Sequence, residues 1–299
     1  MPQHVPLPER FTAHRRLVAT ITDAGVTPPT RWTELNDRLN DFLALENTAV
    51  HRLADAVVEP KRNTDLAMLR VMALAEESAG PERVARIHRV VVGAVEEQMN
   101  AAYSDAAMDV YRTVAAQFDA AADGFTAAAT ACDPEAPATD LVSAPEDQRQ
   151  AWLTAELDAV RLDAALPVLI AATQLANTRI EAPTRLAPGW WRAQPADAAL
   201  IALCVDTSGL HRRRIWEAWQ HTGGRTKRWG ALVALGARIR AHSLDTFEFY
   251  REPRPLIYRQ EQGAERGTVR NVVLDPEDDD YQAPEQPFAY AGQGHTFTG

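Results

Sequence analysis

From Pro81 to the next proline, Pro134, no residue forbids a helix, and apolar or small side chains recur at every third or fourth position. The stripe reads Val84, Ile87, Val91, Val95, Met99, Tyr103, Ala106, Val110, Val114, Phe118, Ala121, Phe125 and Ala128. Its mean step is roughly 3.67 residues, close enough to the helical period to keep the stripe on one side of a nearly straight rod. Gly80-Pro81-Glu82 is a helix start: proline at the first helical position loses an N–H that has no partner there, and glutamate meets the positive end of the dipole. A single helix to about Cys132 would be ~75 Å long at 1.5 Å per residue. Its apolar edge then needs covering helices. Two arrangements satisfy that need. One is a coiled-coil-like spine that oligomerises through Val84, Ile87, Val91, Val95, Met99, Tyr103, Val110, Val114 and Phe118. The other is a core helix inside a large bundle. Gly93 and Gly124 are the positions where the rod is weakest.

Before this stretch the pattern predicts short helices over Glu9–Ala24, Arg31–Val58 and Asn63–Glu77, separated by Gly25, the Pro28-Pro29 turn and Glu59-Pro60. After it, Ser143 and Glu146 have capping-box spacing and open a helix to about Ile180. Pro167 is expected to kink that helix because it lacks an N–H and crowds the preceding turn. The apolar positions of this helix are Trp152, Leu153, Leu157, Val160, Ala164, Val168 and Leu175. Residues 1–182 thus form a long-helix body. Residues 183–195 read as a linker, and 196–243 as a small helical subdomain with helices over Ala196–Val205, Leu210–His221 and Arg225–His242. Residues 244–299 read as an extended acidic tail with one or two short strands, disordered from Asp275 onward. The fold class is mainly α.

Charge is unevenly spread along a chain with net charge −10. Between Ser208 and His242, Glu217 is the one acid among eight arginines and lysines, whereas the segment after Val272 contains acids and no arginine or lysine. Such asymmetry points to pairing between the two regions, or to a nucleic-acid face guarded by an acidic tail. Five of the seven tryptophans, Trp190, Trp191, Trp216, Trp219 and Trp229, fall within residues 190–229, interleaved with arginine. Tryptophan and arginine anchor protein interfaces, and together they also stack on bases and contact phosphates. The plain reading makes the tryptophans a small core and the arginines its rim. The other two readings are a docking surface for protein partners and a helix-turn-helix contact through Arg212, Arg213, Arg214, Arg225, Lys227 and Arg228.

Catalytic and metal signatures are missing from the pattern. A di-metal carboxylate bundle needs Glu-x-x-His, whereas Glu46 and His51 are five apart and Glu217 and His221 four apart. No nucleophile elbow, phosphate loop or metalloprotease motif occurs. Cys132 and Cys204 show neither disulfide framework nor metal spacing. Asp278-Asp279-Asp280 reads as a solvated run. The sequence therefore predicts a non-enzymatic structural or assembly protein without cofactor or metal. It would self-associate, dock other proteins, and reside in the cytoplasm, or in a virion if phage-encoded. No secretory signal pattern opens the chain and no apolar run is long enough to span a bilayer. A nucleic-acid-binding regulator is the alternative.

Overall fold

The computed structural model describes residues 7–43, 49–58, 65–78, 81–176, 197–248, 250–262 and 269–279. The molecule is mainly helical. It divides into two compact units, residues 1–121 with 161–180, and residues 122–160 with 181–299. No helix among the described residues is long and apolar enough to cross a membrane.

The first unit begins with α1 (Glu9–Asp23), α2 (Thr30–Leu43), α3 (Ala49–Val58) and α4 (Leu66–Ser78). The single helix expected over Arg31–Val58 is therefore two described helices. The expected rod is also two helices, α5 (Pro81–Ser104) and α6 (Ala107–Ala131). The break falls at Asp105-Ala106 and at neither glycine. Asp105 N–H still reaches Ala101 O at 3.2 Å, Ala106 N–H turns back to Tyr103 O at 3.0 Å, and Val110 N–H starts the next helix on Ala106 O. Ser and Asp compete with the helical ladder through their own side chains, and Ser104-Asp105 places both at the break.

Gly124 has a packing role instead. A β-carbon there would lie 2.9 Å from Asp158 Oδ2, so any other residue makes that buried side chain shift. α7 (Glu146–Leu175) continues through Pro167, which sits on an exposed face. The expected Ser143–Glu146 capping box does not form: Arg149 N–H bonds Pro145 O, and the Glu146 side chain pairs with Arg149 instead.

In the first unit α2 packs on α5 and α3 on α4. Phe11, Ile21, Leu39, Met99, Tyr103, Phe118, Leu162 and Leu169 are buried. Met99, Tyr103, Val110, Val114 and Phe118, expected to face a partner chain, are thus already covered within this one. Val91 and Val95 are half-buried, Ile87 is exposed, and the Val84 side chain lies outside what is described. From Met99 onward the large side chains of the stripe, through Phe125, are buried within the chain.

The second unit carries α8 (Asp197–Cys204), β1 (Val205–Asp206), α9 (Arg212–Trp219), α10 (Lys227–Ala234), β2 (Arg238–Ile239), β3 (Ile257–Gln262) and β4 (Val269–Leu274). α10 ends far short of the expected His242. Gly236 takes a left-handed φ of 85°, and Gly236 and Ala237 N–H close back on Val233 and Leu232. That is a glycine C-cap. The chain then leaves as β2, antiparallel to β1 with Val205 opposite Ile239. β3 and β4 form an antiparallel hairpin with Ile257 opposite Leu274 and Gln262 opposite Val269. This bears out the strands expected near Tyr258 and Val272.

Candidate functional site

The arginine-rich segment folds onto the acidic one. α9 opens with Arg212-Arg213-Arg214, and the chain after β4 turns at Asp275-Pro276-Glu277. Arg213 forks onto both carboxylate oxygens of Asp275, with Nη2 at 2.8 Å. Glu277 accepts from Arg212 Nη1 at 3.0 Å, Arg251 Nη2 at 2.5 Å and Arg254 Nε at 3.1 Å. It also takes the Arg254 backbone N–H at 2.9 Å. Charge-assisted and forked bonds of this kind are the strong class. Their effect shows in the titration. The Arg213 hydrogen bond holds Asp275 below the usual carboxylate range. The Arg251 hydrogen bond, joined by Arg254, holds Glu277 well below it. The Tyr250 hydroxyl donates to Arg212 O at 2.6 Å, and its ring stacks on Trp216 with the planes 3° apart. Residues 275–279, expected to be disordered, are therefore tied down by four arginines.

Arg225 is held in a different place. Its guanidinium lies 3.1 Å from the centre of the Trp152 ring and donates to Pro134 O, Trp152 O and Glu156 Oε2. Glu135, from the loop after α6, accepts the backbone N–H groups of Arg225 and Thr226 at 2.8 Å each and the Thr226 hydroxyl at 2.5 Å. Burial alone would raise the pKa of Glu135, but these donors outweigh it and lower the value. A carboxylate thus occupies the N-terminal end of α10, where helix dipole and free N–H groups favour an anion.

The tryptophans divide by role. Trp219 and Trp229 are buried and meet edge to face, 5.8 Å apart, and Trp219 Nε1 donates to Asp197. These two are core, as the plain reading had it. Trp216 is half-buried on Tyr250, and Trp190 and Trp191 lie outside the described residues. Of the six cationic residues considered for nucleic acid, Arg212, Arg213 and Arg225 are engaged by the chain's own acceptors. Arg228 covers Trp219, while Arg214 and Lys227 are exposed. Charge asymmetry signalled the pairing of Arg212 and Arg213 with the acidic segment. It gave no sign of Glu135, Trp152, Tyr250, Arg251 or Arg254.

His211, Asp275 and Asp278 bring potential cation ligands within 4.8 Å of one another. His211 Nε2 is 3.0 Å from Asp278, but Asp275 is already forked by Arg213. A cation would have to displace that arginine, so the donor set does not fit a resident metal.

Elsewhere, apolar side chains at helical spacing face outward. On α4, Met68, Val71 and Met72 are 59%, 64% and 42% exposed. On α5, Ile87 and Val90 are exposed at a three-residue step, and on α7 so are Leu153, Leu157 and Val160. The α7 positions, expected to face inward, point out because Ala155, Asp158, Ala159 and Leu162 take the buried side. No family model, curated protein or solved structure matches this chain.

Proposed function

We propose that this protein is a non-catalytic helical assembly component that associates with copies of itself through the outward apolar face of α4. The observation that carries the reading is Met68, Val71 and Met72 exposed at i, i+3 and i+4, joined by the exposed Leu66 and Leu74, on a helix where Ala73 is buried. An amphipathic helix normally turns one apolar stripe to the core; a second, exposed one marks an interaction surface. Charge favours a second copy as the occupant. Over residues 65–89 of the sequence, Asp65, Glu76, Glu77 and Glu82 balance Arg70, Arg83, Arg86 and Arg89. Two copies of a chain with net charge −10 can meet at this locally neutral region without like-charge repulsion. The oligomerising role moves from the Met99–Phe118 stripe to helices that keep apolar side chains exposed.

Val71→Glu tests this. Placing a carboxylate in a desolvated contact costs on the order of 2 kcal/mol per copy or more. Sedimentation is expected to show the variant as monomer at concentrations where the parent associates, with the helical circular dichroism unchanged. A variant that sediments like the parent refutes the assignment of the face.

A further inference from the structure

Within the first unit, α1, the end of α5 and the end of α7 line a half-open cleft of about 510 Å³, inside the range of about 300–1,000 Å³ typical of small-molecule sites. Its walls include Arg10 and His14 from α1, Glu96, Asn100 and Tyr103 from α5, and Gln174 from α7. Two independent features set it apart from an ordinary surface crevice.

The first is an orphan. Tyr103 is 2% exposed, and its hydroxyl has no hydrogen-bond partner among the described residues. Buried hydroxyls in folded proteins are almost always bonded, so an orphan lining a cleft points to a missing ligand. Burial lifts the Tyr103 pKa to about 12, which keeps the phenol neutral with one donor and its acceptor sites on offer. The ring is held edge-on by His14, with centroids 5.7 Å apart and planes at 88°. His14 is itself fixed: its Nε2 accepts from Trp32 Nε1 at 3.1 Å, which places the ring proton on Nδ1, and burial lowers its pKa. The wall is therefore uncharged at this point near neutral pH.

The second is unmatched charge. Arg10 and Glu96 line the same cleft, yet neither makes an ion pair with the other or with any described residue. The side-chain amides of Asn100 and Gln174 likewise make no hydrogen bond among the described residues. A cation, an anion, two amides and a phenol thus line one cavity without being satisfied by each other. A ligand with a single charge would leave one of the two opposite charges unmatched.

We propose that this cleft binds a small zwitterion of amino-acid type. Its carboxylate is recognised by Arg10, in the charge-assisted geometry arginine favours, and its ammonium by Glu96. The Tyr103 hydroxyl and the two amides complete its hydrogen bonds, and Leu17 and Leu175 receive its apolar portion. This site is independent of the association face on α4.

The test uses the full chain and a pool of the twenty proteinogenic amino acids as probe, read by saturation-transfer NMR and followed by calorimetric titration of responders. At least one member is expected to bind saturably. Its N-acetyl and carboxamide derivatives are expected to bind about tenfold weaker or worse. Arg10→Gln and Glu96→Gln, which alter side chains at the mouth of the cleft, are expected to lower affinity without changing the fold. Tyr103→Phe separates a ligand site from a mere packing defect. It is expected to raise the melting temperature of the ligand-free protein, because the orphan is removed, while weakening the ligand. Binding by no member of the pool at millimolar concentration overturns the proposal. So does a Tyr103→Phe variant that melts higher yet binds the responder as the parent does.

Discussion

Replacing Glu277 by Gln probes how the acidic segment is held. The Glu277 side chain is 4% exposed, whereas its three partners Arg212, Arg251 and Arg254 are 37%, 48% and 53% exposed. Glutamine keeps the volume and one acceptor oxygen, but it turns an NH₂ toward guanidinium donors and removes the charge. Breaking a fully buried pair from one side costs about 3–5 kcal/mol. Here the arginines regain water readily, so the discounted cost is about 2 kcal/mol. At 1.4 kcal/mol per factor of ten, local opening of the segment rises ~30-fold. Hydrogen exchange reads this directly. The Arg254 backbone N–H, bonded to Glu277 Oε1 at 2.9 Å, is the reporter. The Arg240 N–H, bonded to Cys204 O at 3.0 Å beside the β1–β2 pair, serves as the internal reference. Exchange at Arg254 is expected to quicken by that factor with the reference unchanged. Unchanged exchange at Arg254 would refute the reasoning. Equal loss across the second unit would show the carboxylate to be integral to the fold and not a local latch.

Two further outcomes follow from the same geometry. Gly124→Ala forces a methyl against Asp158 and is expected to destabilise by about 1–3 kcal/mol. Gly93→Ala, at an exposed helical position with nothing within 4 Å, is expected to stabilise by about 1 kcal/mol; opposite shifts in chemical denaturation midpoints check the pair. Asp275 and Glu277 both titrate below their ordinary values. Their contribution is therefore complete above the unfolded carboxylate range near about pH 4 and is lost as pH falls through the lower folded values. NMR of the Arg254 amide, corrected for intrinsic exchange, is expected to show constant protection from neutral pH to the top of that range and loss only in stronger acid.

Much of this architecture was legible in residue order. The periodicity around Met99, Val114 and Phe118 marked a buried helical face because a 3.6-residue repeat of large apolar groups has few other uses. Apolar residues around Tyr258 and Val272 marked short strands, and separated blocks of arginine and acid marked the pairing of the two regions. Other features were not legible, for local physical reasons. The break at Asp105-Ala106 depends on one weak turn that proline and glycine counting overlooks. The early end of α10 depends on Gly236, whose left-handed φ a helical pattern running on to Arg240 conceals. Glu135 sits in a loop with no periodicity, and its role exists only because α10 presents its N–H groups there. Leu153, Leu157 and Val160 satisfied a helical stripe as well as their neighbours did. The choice between the two faces of α7 was made by small residues, Ala155 and Ala159, which pack closely.

The central claim is that α4 offers its apolar face to another copy. The most direct measurement is the solution mass of the full chain by light scattering across a concentration series. Masses that climb above the 32.9 kDa of one chain and fall back on dilution are expected. A mass fixed at one chain throughout the series would contradict it.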